Sequence, residues 1–186
     1  MSRNVRGSLF SEYVRMVRRR KNVNWEGVLP PEDLLLVWQQ VQPDAWYPME
    51  TFERLGIAIL DHLEGATLDA VRLWGRFSAQ GLESSESKLV VPGEQVESLM
   101  RLRVMRSTLF DFPAFDIPML ADGHAYVSMT YHMSPRAEEA ACYQTMGFCE
   151  GVLSLSGAQN VSAGFLEQAW LGDARTLIDL KWEHDK

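Results

Sequence analysis

With 186 residues, 46% of them hydrophobic and 23% charged, the chain can bury a sizeable core without disulfide staples. Its formal charge of −7 hides a basic start: residues 1–21 hold seven Arg or Lys and one acid, and the remainder eleven bases and twenty-four acids. An acidic body argues against a nucleic-acid role, and no apolar run reaches membrane-spanning length or reads as a secretory leader, so a cytoplasmic protein is expected.

Residues 7–20 read as a first helix, with Leu9, Tyr13 and Val17, or Phe10, Val14 and Val17, turned inward. It ends in Arg18-Arg19-Arg20-Lys21, where cations suit the exposed helix carbonyls, so this basic cluster is read as a solvated helix end. Asn24-Trp25-Glu26 opens a short element. Pro30-Pro31 starts a helix through Val41, since proline is tolerated in a first turn. Pro43 to Trp46 is expected as a loop. Phe52, Leu55, Ile59 and Leu63 mark a helix over 48–63, and Thr67 is the expected N-cap of another over 68–80, with Val71, Trp74 and Phe77 buried.

Residues 81–87 form a polar connector. After it, Val96, Met100 and Val104 predict a fifth helix with Leu99 beside them. Strands are expected at 114–120 and 125–131, joined at Asp122-Gly123, a dipeptide that accepts the positive φ of a tight hairpin. A polar corner at Ser134-Pro135-Arg136 leads into a helix over 137–155, whose Gly147 and Gly151 let another element approach. Two strands, Asn160–Glu167 and Thr176–Trp182, end the pattern around Gly172-Asp173. The fold class is α+β: a helical N-terminal lobe (1–82), then a lobe (88–186) with a four-stranded antiparallel sheet and helices on one face, together making one domain.

These landmarks in this order resemble the heme-NO/oxygen-binding (H-NOX) domain family. The resemblance rests on Gly7 with Leu9-Phe10, Trp25, Tyr47-Pro48, Trp74-Gly75-Arg76-Phe77, Pro113-Ala114-Phe115, Ser134-x-Arg136 and the glycines of the 137–155 helix. It implies a heme held by a histidine on the helix before the Pro-x-Phe segment, and a Tyr-x-Ser-x-Arg motif that binds the propionates. Imidazole is a good iron ligand and a guanidinium fork matches a carboxylate. In this chain the histidine position reads Met100, and the motif reads His132-Met133-Ser134-Pro135-Arg136 with Tyr131 one residue early. The C-terminal half also resembles vinyl-reductase-type small-molecule-binding domains, through Gly147-Phe148, Gly151, Gly172-Asp173 and Trp182. That likeness implies zinc in some members. Here Cys142 fills one ligand position while Gln168 and Thr176 fill others, too few donors for a zinc site.

The candidate ligand-binding set is Met100, Pro113, Tyr131, His132, Ser134 and Arg136, with no metal site. Ser134 and Arg136 are the best anion-binding pair, with pairing of Arg136 to Glu138 or Glu139 as the equal alternative. Met100 is expected in the core, His132 and His62 as structural histidines, and Trp38, Trp46, Trp74 and Trp170 as core fillers. Cys142 and Cys149, seven residues apart on one helix, are too distant for a disulfide with each other and are expected as reduced, buried thiols. Hydrolase, metalloprotease, nucleotide-loop and dinucleotide motifs are missing, so the chain is not expected to be an enzyme.

The resulting expectation is a non-catalytic sensory module without the usual heme histidine. It binds a small apolar or anionic ligand between its lobes, or a signalling protein, and acts by docking on a separate protein because no output segment is attached. No cofactor is expected. The alternatives are a heme sensor ligated by Met100 or His132, and a structural homodimerisation module.

Overall fold

The structure is a computed structural model that describes residues 3–62, 65, 67–83 and 89–184. Leu63 and most of the polar connector lie outside the described residues. The chain divides into two compact units: Met1–Ala66 with Thr108–Phe112, and Thr67–Ser107 with Pro113–Lys186. The helix over 68–83 therefore groups with the sheet rather than with the helices before it.

In the first unit a short strand, β1 (Asn4–Arg6), leads directly into α1 (Gly7–Arg19). β1 pairs antiparallel with β2 (Trp46–Pro48), so the segment expected as loop ends in a strand, and Val5 also bridges Phe110. The buried stripe of α1 is Phe10, Tyr13, Val14 and Val17, helical spacing along one face. Phe10 stacks on Tyr47 at 4.5 Å and Tyr13 on Phe52 of α3 (Met49–His62) at 4.2 Å, ring pairs that add to the burial of their area. Between them, α2 (Pro31–Trp38) opens with a proline and two acids, a favourable first turn. Its Asp33 is fully buried, which an isolated carboxylate would not tolerate; Arg54 (2.6 and 2.8 Å) and Thr51 (2.7 Å) satisfy it. Trp25 is buried, with the His62 ring edge-on at 6.0 Å.

The second unit holds a four-stranded antiparallel sheet in the order β3-β4-β6-β5: β3 (Phe115–Ala121), β4 (His124–Met129), β5 (Gln159–Glu167) and β6 (Thr176–Glu183). Gly123, at φ 76°, closes the β3–β4 hairpin, while Asp122, expected to share that positive φ, keeps a negative one. Pro118 is accommodated because β3 is an edge strand with an irregular register between Asp116 and Met119. Ala125, Val127 and Met129 of β4, and Ile178, Leu180 and Trp182 of β6, point to the buried face at period two. That face is covered by α6 (Pro135–Leu155), with α5 (Gln95–Ser107) against β3 and α4 (Leu68–Glu83) lying along α6. Thr67 caps α4 as expected, its hydroxyl accepting from Ala70 N at 3.2 Å.

Two helices bury different faces from those expected. On α4 the inward residues are Val71, Gly75 and Ala79, while Trp74 is half-buried and Phe77 is 54% exposed. The reason is proximity: a Cβ on Gly75 would lie 2.0 Å from Gln144 O, and one on Gly147 1.8 Å from Arg72 O. Only small side chains fit a helix pair that close. On α5 the buried residues are Gln95, Ser98, Leu99, Leu102 and Arg106, so Met100 (51% exposed) and Val104 (66%) leave the core expected for them. Two polar members of that face are satisfied: Gln95 donates to Ser156 O at 2.9 Å, and Ser98 accepts from Val91 N at 2.9 Å. Trp38 (58%) and Trp46 (41%) are likewise exposed rather than core.

Candidate functional site

The chain between β4 and α6 turns a sharp corner at residues 130–134. His132 sits at its apex with φ 57°, a left-handed backbone uncommon for a residue bearing a side chain. Glu138, one turn into α6 and buried, holds that conformation. Its two carboxylate oxygens accept from Tyr131 N and Met133 N, each at 2.8 Å, the amides on either side of His132. Two amides converging on one anion form a small backbone nest, and the chain's own carboxylate fills it. Pro135 follows as the first residue of α6, where its missing N–H costs nothing.

Beneath the corner lies a buried polar cluster. The Tyr131 hydroxyl lies 2.7 Å from Arg106 Nη2 and 2.8 Å from Thr145 Oγ1, and Arg106 Nη2 donates to Thr145 Oγ1 at 2.7 Å. Arg106 also lies over the Phe115 ring, 5.4 Å from its centroid. Burial pushes the Tyr131 hydroxyl up to about 12, so it stays protonated and tied into this network. Cys142, hydrogen-bonded to Thr176, and Cys149 are buried on α6, and burial raises both thiols to about 12. They are closed to nucleophilic chemistry near neutral pH.

The corner opens into a cavity of about 200 Å³, walled by His132, Met133, Pro135 and Glu138 on one side and by Trp170 and Asp173 on the other. Trp170 is braced by Phe165, edge-on at 4.9 Å, which in turn meets Tyr143 at 5.0 Å. Two carboxylates on its wall give the cavity negative character.

Of the six candidate residues, only His132 lines this cavity. Tyr131 faces the polar cluster instead, and Ser134, Arg136 and Pro113 are exposed. Met100 stands on the exposed side of α5. Sequence reasoning passed over Arg106, Glu138 as the clamp, and Asp173, and took Trp170, which lines the cavity with Asp173, for a core filler. The last pair lies far from the corner in the chain, and only the β5–β6 connection brings it near.

A heme of the usual kind does not fit these residues. α5 offers thioethers and no imidazole, and the Tyr131 hydroxyl is bonded to Arg106 and Thr145. Among the described residues no group of three His, Cys, Asp or Glu is placed to hold a metal ion, and no helix is long and apolar enough to cross a membrane.

No family model matches the sequence, and no curated protein is similar to it. Solved structures share the fold. An H-NOX protein from S. oneidensis in the Fe(II)NO ligation state matches with TM-score 0.64 and 12% identity, covering 96% of this chain and 99% of that one. A mutant of T. tengcongensis H-NOX gives 0.62 and 12%, over 96% and 98%. An oxygen-binding H-NOX domain related to soluble guanylate cyclases, solved as its oxygen complex, gives 0.60 and 14%, over 97% and 99%. A likeness that spans nearly the whole of both chains makes this protein an H-NOX-like domain in fold.

Proposed function

We propose that this H-NOX-like domain is a non-catalytic sensory module that has given up histidine ligation of heme and acts through a partner protein. The observation that carries the reading is Met100. It stands where the family's ligand histidine falls, on a helix without imidazole, and its side chain is half exposed. A lone thioether is a weak iron ligand, usually paired with a histidine. Supporting this, the hydroxyl and guanidinium groups of the second unit's interior, Tyr131, Thr145 and Arg106, bond one another and hold the fold. The corner cavity has room for a small ligand, and Glu138 and Asp173 on its wall favour a neutral or cationic molecule over an anion.

The test is an absorption spectrum of the purified protein, before and after titration with hemin. The expected result is no saturable Soret band. A sharp one-to-one band that disappears in Met100→Ala or His132→Ala would overturn the reading and establish a heme sensor with altered ligation.

A further inference from the structure

The cavity at the β4–α6 corner is small. At about 200 Å³ it falls below the range of pockets that take drug-sized molecules, so its occupant has few heavy atoms. One wall is the 3-10 turn Ala169–Leu171 between β5 and β6, and that turn is tied down at several points. Asp173 Oδ2 accepts from Gln168 N at 2.6 Å, and Thr176 Oγ1 accepts from Ala169 N at 3.2 Å. Gly172, at φ 108°, donates its N–H to Ala169 O at 3.1 Å. The Trp170 ring is held by Phe165 and Tyr143, at 4.9 and 6.4 Å between centroids. On the corner side Glu138, 3% exposed, is fixed by the amides of Tyr131 and Met133. An occupant therefore meets walls that are already ordered, and little conformational entropy is lost on binding.

The lining decides the charge of that occupant. Glu138 and Asp173 contribute two carboxylates, and among the described residues no lysine or arginine lines the cavity. Asp173 uses Oδ2 to close the turn, which leaves the lone pairs of Oδ1 for a ligand. Trp170 supplies an indole, the side chain whose ring attracts cations most strongly. A bare metal ion is a poor match. His132, Glu138 and Asp173 all line the cavity, yet among the described residues no three His, Cys, Asp or Glu are placed to hold one. Carboxylates set apart around an aromatic ring suit a charge that is itself spread over several atoms. We propose that the cavity binds a small alkylammonium ion, its charge against Trp170, Asp173 and Glu138 and its alkyl groups on Met133, Pro135 and Ala174. The inference deepens the reading of the chain as a sensory module and rests on it, the ion being the signal that the module senses.

The experiment is isothermal titration calorimetry on the full chain with three solutes of similar bulk and different charge: tetramethylammonium chloride, tert-butanol and sodium pivalate. The cation should bind saturably at one site, at least about tenfold tighter than tert-butanol, and weaken as sodium chloride is raised. Pivalate should not bind. Trp170→Leu should weaken the cation by about fivefold or more, and Asp173→Asn by about threefold. Asp173 is exposed and an asparagine oxygen can still accept from Gln168 N, so an unchanged thermal melt certifies that variant even where Trp170→Leu loosens the turn. Labelling the tryptophans with nitrogen-15 locates the site: of the six indole signals, the one missing in Trp170→Leu should shift during the titration. Absence of saturable binding, equal binding of tert-butanol, indifference to either substitution, or a shift confined to other indoles overturns the proposal. So does displacement of the cation by calcium or zinc chloride at lower concentration, which would assign a metal site. A trimethyllysine peptide that binds more tightly than the free cation would overturn it too, assigning the cavity to a protein side chain. Hemin binding is read separately from its Soret band. A Soret band refutes the heme-free reading, whereas no band and no response to the cation refutes this inference alone.

Discussion

Gly147→Ala tests the packing of the second unit most directly. The new Cβ would sit 1.8 Å from Arg72 O and 2.7 Å from Arg72 C, where ordinary contact begins at 3.4 Å. The obstacle is backbone, so α4 must retreat by more than an ångström rather than a side chain swing aside. The retreat breaks a second set of contacts. Glu150, one turn along α6 and 1% exposed, accepts from Arg72 Nε at 2.9 Å and Arg76 Nε at 2.8 Å, and Arg72 Nη2 closes the fork. Over-packing alone costs about 1–3 kcal/mol, and partial loss of a half-buried ion pair adds about 1–2 kcal/mol. A total of about 2–5 kcal/mol lowers the melting temperature of a domain this size by roughly 4–20 °C. The control is Gly81→Ala on α4, where a Cβ meets nothing within 4 Å. It should stabilise by about 0.5–1 kcal/mol through helix propensity. Thermal unfolding followed by circular dichroism reads both. A Gly147→Ala protein melting with the wild type would refute the close α4–α6 approach.

The same triad predicts a pH dependence. Burial pushes the Glu150 carboxyl up, but its hydrogen bonds and charge pairing with Arg72 and Arg76 outweigh that and hold it below its ordinary value of 4.5. Its contribution is complete above pH 4.5 and is lost as pH falls through the depressed value, so Glu150→Gln should be destabilised at neutral pH by about 2–3 kcal/mol and show a shallower acid loss. Identical stability–pH slopes for the two proteins would sink this account. Cys142 and Cys149, with thiols near 12, should resist iodoacetamide at pH 8 in the native protein and both react in denaturant, read by mass spectrometry. Tyr131→Phe should cost about 1–3 kcal/mol in urea unfolding by stripping Arg106 and Thr145 of a buried partner. Met100→Ala should cost under about 1 kcal/mol, because a half-exposed methionine leaves little cavity behind.

Much of this molecule was legible in local chemistry. Thr67 as an N-cap, Pro31 as a first helical residue, and Asp122-Gly123 as a hairpin turn need only their neighbours to act. The alternation in β4 and β6 and the helical stripe of α1 follow from period and polarity alone. The four-stranded sheet and the α+β class therefore came out of the chain without tertiary information, as did the resemblance to H-NOX domains. What periodicity misread were α4 and α5. There the buried face is chosen by tertiary partners: the α6 backbone at Gln144 and the Gly151 position, which admit only Gly75 and Ala79, and Ser156, Val91, Tyr131 and Thr145, which bond Gln95, Ser98 and Arg106 Nη2.

The candidate site divides along the same line. The sequence by itself placed a corner at Ser134-Pro135-Arg136, of which Ser134 lies in the turn at 130–134 while Pro135 and Arg136 already belong to α6, and it read Met100 where the resemblance implies a histidine. Which side chains meet was decided by the tertiary structure. Tyr131 and His132 are neighbours in the chain, yet the left-handed turn at His132, clamped by Glu138, sends Tyr131 into the interior and leaves His132 at the cavity. Trp170 and Asp173 join that cavity through the β5–β6 connection, and Trp38 is exposed because contacts at both ends of α2 prevent it from turning. Hydrophobicity describes what a side chain would prefer; the backbone anchored by buried polar pairs decides which side chains obtain it.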